Sequence, residues 1–231
     1  MPTEAAVLDA LSGVRDPELD EPITELKFIS YLRIAEDAVN VRLRLPTYFC
    51  AANFAYLMVA DAKEALLSVP GVNYARVVLD DNYVSGEINT GMAEGRGFQG
   101  TFPGETESED LDELRAIFCR KSFVSRQEKL CRSLMAKGRT PAELARMSVG
   151  DVPTSEAFEK YLDRRKELGL DVSPEAPLLV DPDGNKVPEE AVVEHLKFAK
   201  VTRLGIESNA GFCRGLLAAR YGIEDPEEET A

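Results

Sequence analysis

The sequence is poor in the residues that most often build metal and nucleophilic sites. It contains no tryptophan, four cysteines and a single histidine, His195. No two cysteines form a CxxC pair, so neither a zinc ribbon nor a ferredoxin-type cluster site is expected. His195 has no second histidine to act with as a metal ligand, and we expect it to be structural. In a reducing compartment the cysteines are expected to be free thiols.

Long apolar runs are also missing. No stretch approaches the roughly 18 residues that a membrane-spanning helix needs. The N-terminus has neither the basic start nor the apolar stretch of a secretory signal. These absences predict a cytoplasmic protein that does not engage a membrane. The formal net charge of −14 argues against a protein whose whole surface binds nucleic acid.

The charge is nevertheless uneven along the chain. Residues 115–146 contain nine Lys or Arg and only two Glu, within an otherwise acidic sequence. We expect this basic stretch to dock an acidic protein partner. The candidate docking residues are Arg115, Arg120, Lys121, Arg126, Lys129 and Arg132. Residues 139–166 have some features of a helix-turn-helix, so a nucleic-acid-binding regulator is an alternative, although acidic residues on the second helix oppose it.

Hydrophobic periodicity predicts an α+β protein with two domains. The first 84 residues follow the order α-β-β-α-β, which suits a small sheet of three or more strands. Residues 85–108 are rich in glycine and predict a linker or a loop that wraps a neighbour. Residues 109–223 predict a helical domain, and residues 224–231 form an acidic tail. The predicted helices are 3–13, 51–68, 109–121, 125–137, 141–147, 155–168, 188–200 and 208–221. The predicted strands are 28–34, 39–45 and 74–79, with a small hairpin over 178–187.

Two sequence motifs resemble ligand-binding loops, but each lacks a feature that such a loop needs. Residues 95–100 match the G-x-G-x-x-G pattern, but the sequence TFPG follows where a nucleotide-binding loop needs a helix. Residues 181–185 (DPDGN) resemble the start of a calcium loop. The twelfth position of that loop should be a bidentate glutamate and is Val192 here. We interpret the first as coincidence and the second as a hairpin turn.

Cys50 has the position of a functional thiol. It lies between a predicted strand and a predicted helix, where backbone N–H groups and the helix dipole favour thiolate. Asp16 and Glu18 lie in the turn after the first helix and would approach Cys50 if the first two helices pack together. A thiolate with one or two carboxylates is a donor set suited to labile iron. The remaining cysteines, Cys119, Cys131 and Cys213, have no assigned role.

Three segments together form a recognisable combination: residues 14–19 (VRDPEL), 43–50 (LRLPTYFC) and 65–72 (ALLSVPGV). In this order and spacing, residues 7–80 resemble the SufT/PaaD-like family of iron–sulfur cluster assembly proteins, also called domain of unknown function 59. The family pattern pairs a D-P-E turn with a cysteine at a strand end, which places it on Asp16, Pro17, Glu18 and Cys50. Ala51 departs from the pattern, because proline commonly follows that cysteine.

The resemblance implies an accessory protein for metal-centre maturation that is not an enzyme. It implies that iron or an iron–sulfur cluster is bound transiently, with no tightly bound cofactor, and that the partner is a client metalloprotein. Some relatives serve multicomponent di-iron oxygenases, so an oxygenase component is an expected client. A metal-free assembly chaperone or structural subunit of an oxygenase complex is the alternative, and either version is compatible with a homo-oligomer.

Overall fold

The structure, a computed structural model, describes residues 1–104 and 111–223 and divides into two compact units. Unit 1 runs from Met1 to Asp112 and resumes at Asn209. Unit 2 comprises Glu113–Ser208. The chain is α+β, as the sequence predicts: a three-stranded mixed sheet with helices is followed by a mostly helical region.

Unit 1 is built on a sheet with strand order β1-β2-β3. Strands β1 (Ile29–Ala35) and β2 (Ala38–Arg44) pair antiparallel through a tight turn, and β3 (Tyr74–Asp80) pairs parallel to β2. Alternate side chains of β2 and β3 are buried because successive residues of a strand point to opposite faces. The buried set is Val39, Val41, Leu43, Ala75, Val77 and Leu79.

Two helices join this core. Helix α1 (Glu4–Ser12) begins after Thr3, whose hydroxyl accepts a hydrogen bond from the Ala6 N–H at 3.2 Å and satisfies a free helix donor. Helix α2 (Ala52–Leu67) connects β2 to β3, as a parallel pair requires. Seven residues of α2 are buried, and they are Ala52, Ala55, Leu57, Met58, Val59, Ala62 and Leu66.

The glycine-rich segment is helical, which corrects the expectation of a linker or wrapping loop over residues 85–108. It forms α3 (Ser85–Glu94) and α4 (Gly97–Thr101), and residues 105–108 lie outside the described residues. Packing requires one of these glycines. A Cβ at Gly91 would lie 2.0 Å from the Thr101 hydroxyl, so only glycine permits this close packing. Gly95 ends α3 in the left-handed conformation with φ 68°, which makes the G-x-G-x-x-G match a helix end.

Two helices of the second half are longer than predicted. Residues 112–136 form one helix, α5 (Asp112–Ala136), where two were expected, because no glycine or proline interrupts the predicted break. Likewise α8 (Val192–Tyr221) continues through residues 201–207 as a single helix. Helices α6 (Pro141–Arg146) and α7 (Glu156–Glu167) agree with the prediction, and short 3-10 turns span Val149–Asp151 and Glu189–Ala191.

Unit 2 has its own apolar core. The rings of Phe123 on α5 and Tyr161 on α7 stack with centroids 5.4 Å apart, and both are fully buried. The predicted hairpin over 178–187 is a turn closed by one antiparallel bridge between Val180 and Lys186. Among the described residues, no helix is long and apolar enough to cross a membrane.

Candidate functional site

The D-P-E turn after α1 is held by the side chain of its aspartate. Asp16 Oδ1 accepts hydrogen bonds from the backbone N–H groups of Glu18 and Leu19, each at 2.9 Å. Aspartate followed by proline favours such a turn, since the carboxylate bonds its own backbone two residues on and proline presets φ. The sequence therefore dictates the turn locally, and the turn fixes the positions of Asp16 and Glu18.

Asp16 is an uncommon aspartate, because it is only 8 % exposed. Its pKa is raised from 3.8 to about 6, mainly by burial and also by the nearby carboxylates of Glu18 and Glu21, against the two backbone N–H groups that lower it. A buried carboxylate surrounded by other carboxylates is costly to ionise. Such a group is typical of functional sites, and its neighbours identify where a cation would be favourable.

Cys50 lies one residue before Ala51, the N-cap of α2, and is half-buried. Its Sγ lies 3.3 Å from the hydroxyl oxygen of Thr47. Its carbonyl accepts a hydrogen bond at 3.1 Å from the side-chain amide of Asn82, a buried residue in the turn after β3. Two loops at the same end of the sheet therefore hold this cysteine in place.

Three aromatic rings lie close together at the loop that contains Cys50. Tyr48 and Phe49 meet edge to face with centroids 5.1 Å apart, and Tyr83 lies within 6.5 Å of both rings. All three are exposed, Phe49 by 77 %. The sequence analysis did not single them out, although Tyr48 and Phe49 directly precede Cys50. An exposed apolar surface beside Cys50 suits contact with another protein.

The structure adds a residue that sequence reasoning left without a role. Cys213 is half-buried on the part of α8 that belongs to unit 1, whereas Cys119 and Cys131 lie in unit 2. The pKa of the Cys213 thiol is raised to about 11, mainly by burial and also by the negative charges of Asp16, Cys50 and Glu18, against Arg214, which lowers it. Whether Asp16, Glu18 and Cys50 act together as one site stays a prediction.

Polar contacts connect the same helix to the D-P-E turn. The side-chain amide of Asn209 donates a hydrogen bond to Glu18 Oε1 at 3.1 Å. Arg214 forms an ion pair with Glu21. Because Asn209 and Cys213 are one helical turn apart, they lie on the same face of α8. The contact with Glu18 therefore directs that face toward the turn.

This donor set is incomplete as a metal site. Within residues 1–104 and 111–223, no three side chains of His, Cys, Asp or Glu are arranged to hold a metal ion. Cys50, Cys213, Asp16 and Glu18 all belong to unit 1. Closed sets of four ligands are typical of structural metals, whereas fewer protein ligands leave positions open for exchange.

The predicted docking residues have different surroundings. Arg126 is buried and donates a hydrogen bond to the Lys160 carbonyl at 2.6 Å, which corrects its assignment to a docking surface. Ion pairs bind Arg120 to Asp183 at 2.7 Å and Lys129 to Glu207 at 3.3 Å. Lys121 lies over the Phe118 ring, and Arg115 and Arg132 are exposed. Docking by the remaining five stays a prediction.

Comparison with known proteins identifies part of unit 1. Residues 4–78 match a family model described as iron–sulfur cluster assembly protein, and the match includes Asp16, Glu18 and Cys50. No curated protein matches the chain. The match ends before α3, so Cys213 and all of unit 2 lie outside it. Residues 4–78 therefore form an iron–sulfur cluster assembly domain, which supports a general role of this chain in iron–sulfur cluster assembly.

Proposed function

We propose that this protein is an accessory factor of metal-centre maturation, which holds iron or an iron–sulfur cluster on Cys50 and passes it to a client protein. The observation that carries the proposal is the position of Cys50 in unit 1. It lies in the segment that matches the family model, and the same segment contains Asp16 and Glu18. The protein acts here as a carrier and not as an enzyme.

The chemistry of the donor set fits such a cargo. Cysteine thiolates bind iron and iron–sulfur clusters, and carboxylates are good ligands for iron ions. Cys50 would supply the sulfur ligand, and Asp16 and Glu18 would supply oxygen ligands or negative charge. An incomplete set suits a carrier, because the donor and the client must reach the metal through the open positions.

The transfer is a ligand exchange that needs no oxidant or reductant. When iron binds, the S–H bond of Cys50 breaks, its proton leaves to solvent and an iron–sulfur bond forms. A ligand of the client then bonds to the iron while the bond to Cys50 breaks, and the sulfur regains a proton. The exposed rings of Tyr48 and Phe49 border the position where the client ligand must enter.

Iron loading of matched cysteine variants tests the role of Cys50. Wild type, C50S and C119S are incubated anaerobically with ferrous iron, desalted, and measured for iron content and for thiolate-to-iron absorption. We expect wild type and C119S to retain iron with this absorption and C50S to lose both. C119S is the matched control, because Cys119 is also half-buried but belongs to unit 2.

If C50S retains the iron and the absorption of the wild type, the proposed thiol role is wrong. If wild type binds no iron yet forms a stable complex with an oxygenase component, the metal-free chaperone replaces this proposal. The finer proposal of a di-iron oxygenase client is tested by co-expression with an oxygenase component. Its iron content should be higher with wild type than with C50S.

A further inference from the structure

We propose that one face of the sheet in unit 1 docks an acidic, extended segment of a partner protein. This face, called the open face below, is the side of β1, β2 and β3 opposite the buried residues of β2 and β3. None of its residues belongs to the site proposed around Cys50. Docking at the open face is therefore independent of the function proposed for that cysteine.

The register of the sheet gathers its arginines on the open face. Residues paired directly across neighbouring strands point to the same face, and Asn40 of β2 pairs with both Arg33 of β1 and Arg76 of β3. Arg42 follows Asn40 by two residues, so its side chain points to this face too. Because β1 and β3 are two strand spacings apart, the backbones of Arg33 and Arg76 are separated by about 10 Å.

The charges of the open face are unusual for so acidic a chain. The three strands contain four arginines and one acidic residue, Asp80, whereas the chain as a whole has a net charge of −14. Arg42 forms an exposed ion pair with Asp80 at 2.6 Å. In the described part of the chain, Arg33 and Arg76 are exposed and have no ion-pair partner. Their guanidinium groups therefore complement carboxylates of another protein.

Aromatic and apolar surface lies beside these charges. A groove of about 420 Å³ on the open face is lined by Tyr31, Ala35 and Val78 together with the arginines. The side chain of Tyr31 is 45 % exposed, and Tyr74, which pairs with Ala38 on the same face, is 57 % exposed. Tyrosine and arginine are enriched in protein–protein interfaces. The composition of the groove is therefore typical of a surface that another protein covers.

An extended peptide segment fits this face better than a nucleic acid does. A chain in the polyproline II conformation repeats every three residues and rises about 9.3 Å over that distance, close to the separation of β1 and β3. Acidic residues at every third position would therefore reach Arg33 and Arg76 from one side of the segment. A nucleic acid carries a phosphate charge on every nucleotide, and the net charge of −14 repels such a polyanion more strongly.

Binding of a defined acidic peptide tests this surface. The probe is a fluorescein-labelled peptide of five Glu-Pro-Pro repeats, and its control has glutamine in place of glutamate. Fluorescence anisotropy at low salt gives the dissociation constants for wild type, Arg33→Gln, Arg76→Gln, the double variant and Arg96→Gln. We expect about 3-fold weaker binding for each single variant of the open face and about 10-fold for the double variant. Arg96→Gln should match wild type, because Arg96 is exposed but lies at the start of α4.

The other possible outcomes overturn the proposal. Wild type must bind the glutamate peptide and must bind the glutamine peptide more weakly. Equal binding by wild type and the double variant would show that the arginines do not hold the segment. Tighter binding of a single-stranded oligonucleotide, lost in the double variant, would make the open face a nucleic-acid site. If analytical ultracentrifugation finds a wild-type dimer that the double variant dissociates, a second copy of the chain covers this face instead.

Discussion

Both units bury polar groups, but they do so in opposite ways. In unit 2, Arg203 of α8 pairs with Glu128 of α5, and both side chains are 6 % exposed. Gln127 donates hydrogen bonds to the Tyr161 hydroxyl at 3.1 Å and the Val180 carbonyl at 2.9 Å, and His195 completes this network through the Gln127 amide oxygen. Burial lowers the pKa of His195, which agrees with a structural role. In unit 1, by contrast, acidic groups and thiols gather around Cys213.

In unit 2 these buried polar groups stabilise the fold, whereas in unit 1 we expect the carboxylates and the Cys50 thiol to bind a ligand. In unit 2 the charges of Arg203 and Glu128 satisfy each other, and Gln127 makes hydrogen bonds through both ends of its amide, so the protein alone accounts for these groups. In unit 1, burial and then neighbouring carboxylates raise the pKa of Asp16 and of the Cys213 thiol, so both groups are costly to ionise. The comparison predicts that substitutions in the two regions change stability in opposite directions.

The largest effect is expected for Arg203→Met in unit 2. Removing the guanidinium leaves Glu128 buried without its partner, which should lower the free energy of unfolding by about 3–5 kcal/mol. Urea denaturation measures this loss. The matched control is Arg146→Met, which breaks an exposed pair with Glu189 and should cost less than about 1 kcal/mol. Equal losses of unfolding free energy in the two variants would show that the buried pair contributes no more to stability than the exposed pair.

A smaller effect of opposite sign is expected for Asp16→Asn in unit 1. The amide oxygen can accept the same two backbone hydrogen bonds, while the cost of a buried charge disappears. Because the pKa of Asp16 is raised from 3.8 to about 6, the variant should gain about 2–3 kcal/mol at pH 7.

The pH dependence of stability tests independently whether Asp16→Asn stabilises the protein. A raised pKa means that the folded wild type takes up a proton more readily than the unfolded chain. Its favourable contribution is complete below about 4 and is lost as pH rises through about 6. The stability difference between Asp16→Asn and wild type should therefore vanish near pH 3. Asp9→Asn, an exposed change on α1, should show no such difference, and a destabilised Asp16→Asn at pH 7 would contradict the account.

The smallest effect concerns the reactivity of Cys213. With a pKa of about 11, its alkylation rate should keep rising with pH well above the ordinary thiol value of 9.0, since thiolate is the nucleophile. Glu18→Gln removes one negative charge and should lower this pKa, so alkylation at pH 9 becomes faster. Glu25→Gln, at an exposed position of the same region, is the control. Identical rates in both variants would mean that Glu18 does not act on the thiol.

The sequence predicts the part of the candidate site that depends on residues close together in the chain. The D-P-E turn and the loop before α2 depend on neighbouring residues, so Asp16, Glu18 and Cys50 can be identified from the pattern. Cys213 cannot, because only the fold shows what its helix packs against. The spacing of Ala210, Cys213 and Leu217 indicates a buried helix face without naming its partner.

The glycine-rich segment shows a similar limit. Its composition favours a loop, yet Gly91 is required where α3 and α4 pack closely, a tertiary reason that composition does not reveal. The aromatic group of Tyr48, Phe49 and Tyr83 likewise combines residues from two loops. Local patterns therefore predicted α1, α2 and the three strands of unit 1, but not α3 and α4, and contacts between distant segments decided the surroundings of Cys50.

X-ray absorption at the iron edge tests the central claim most directly. Wild-type protein is loaded with ferrous iron in the absence of sulfide, so that every sulfur neighbour of the iron comes from the protein. The account predicts sulfur neighbours of the iron in wild type and in C119S, and no sulfur neighbour of any iron that remains with C50S. An iron surrounded only by oxygen and nitrogen in wild type would contradict the claim that Cys50 holds the cargo.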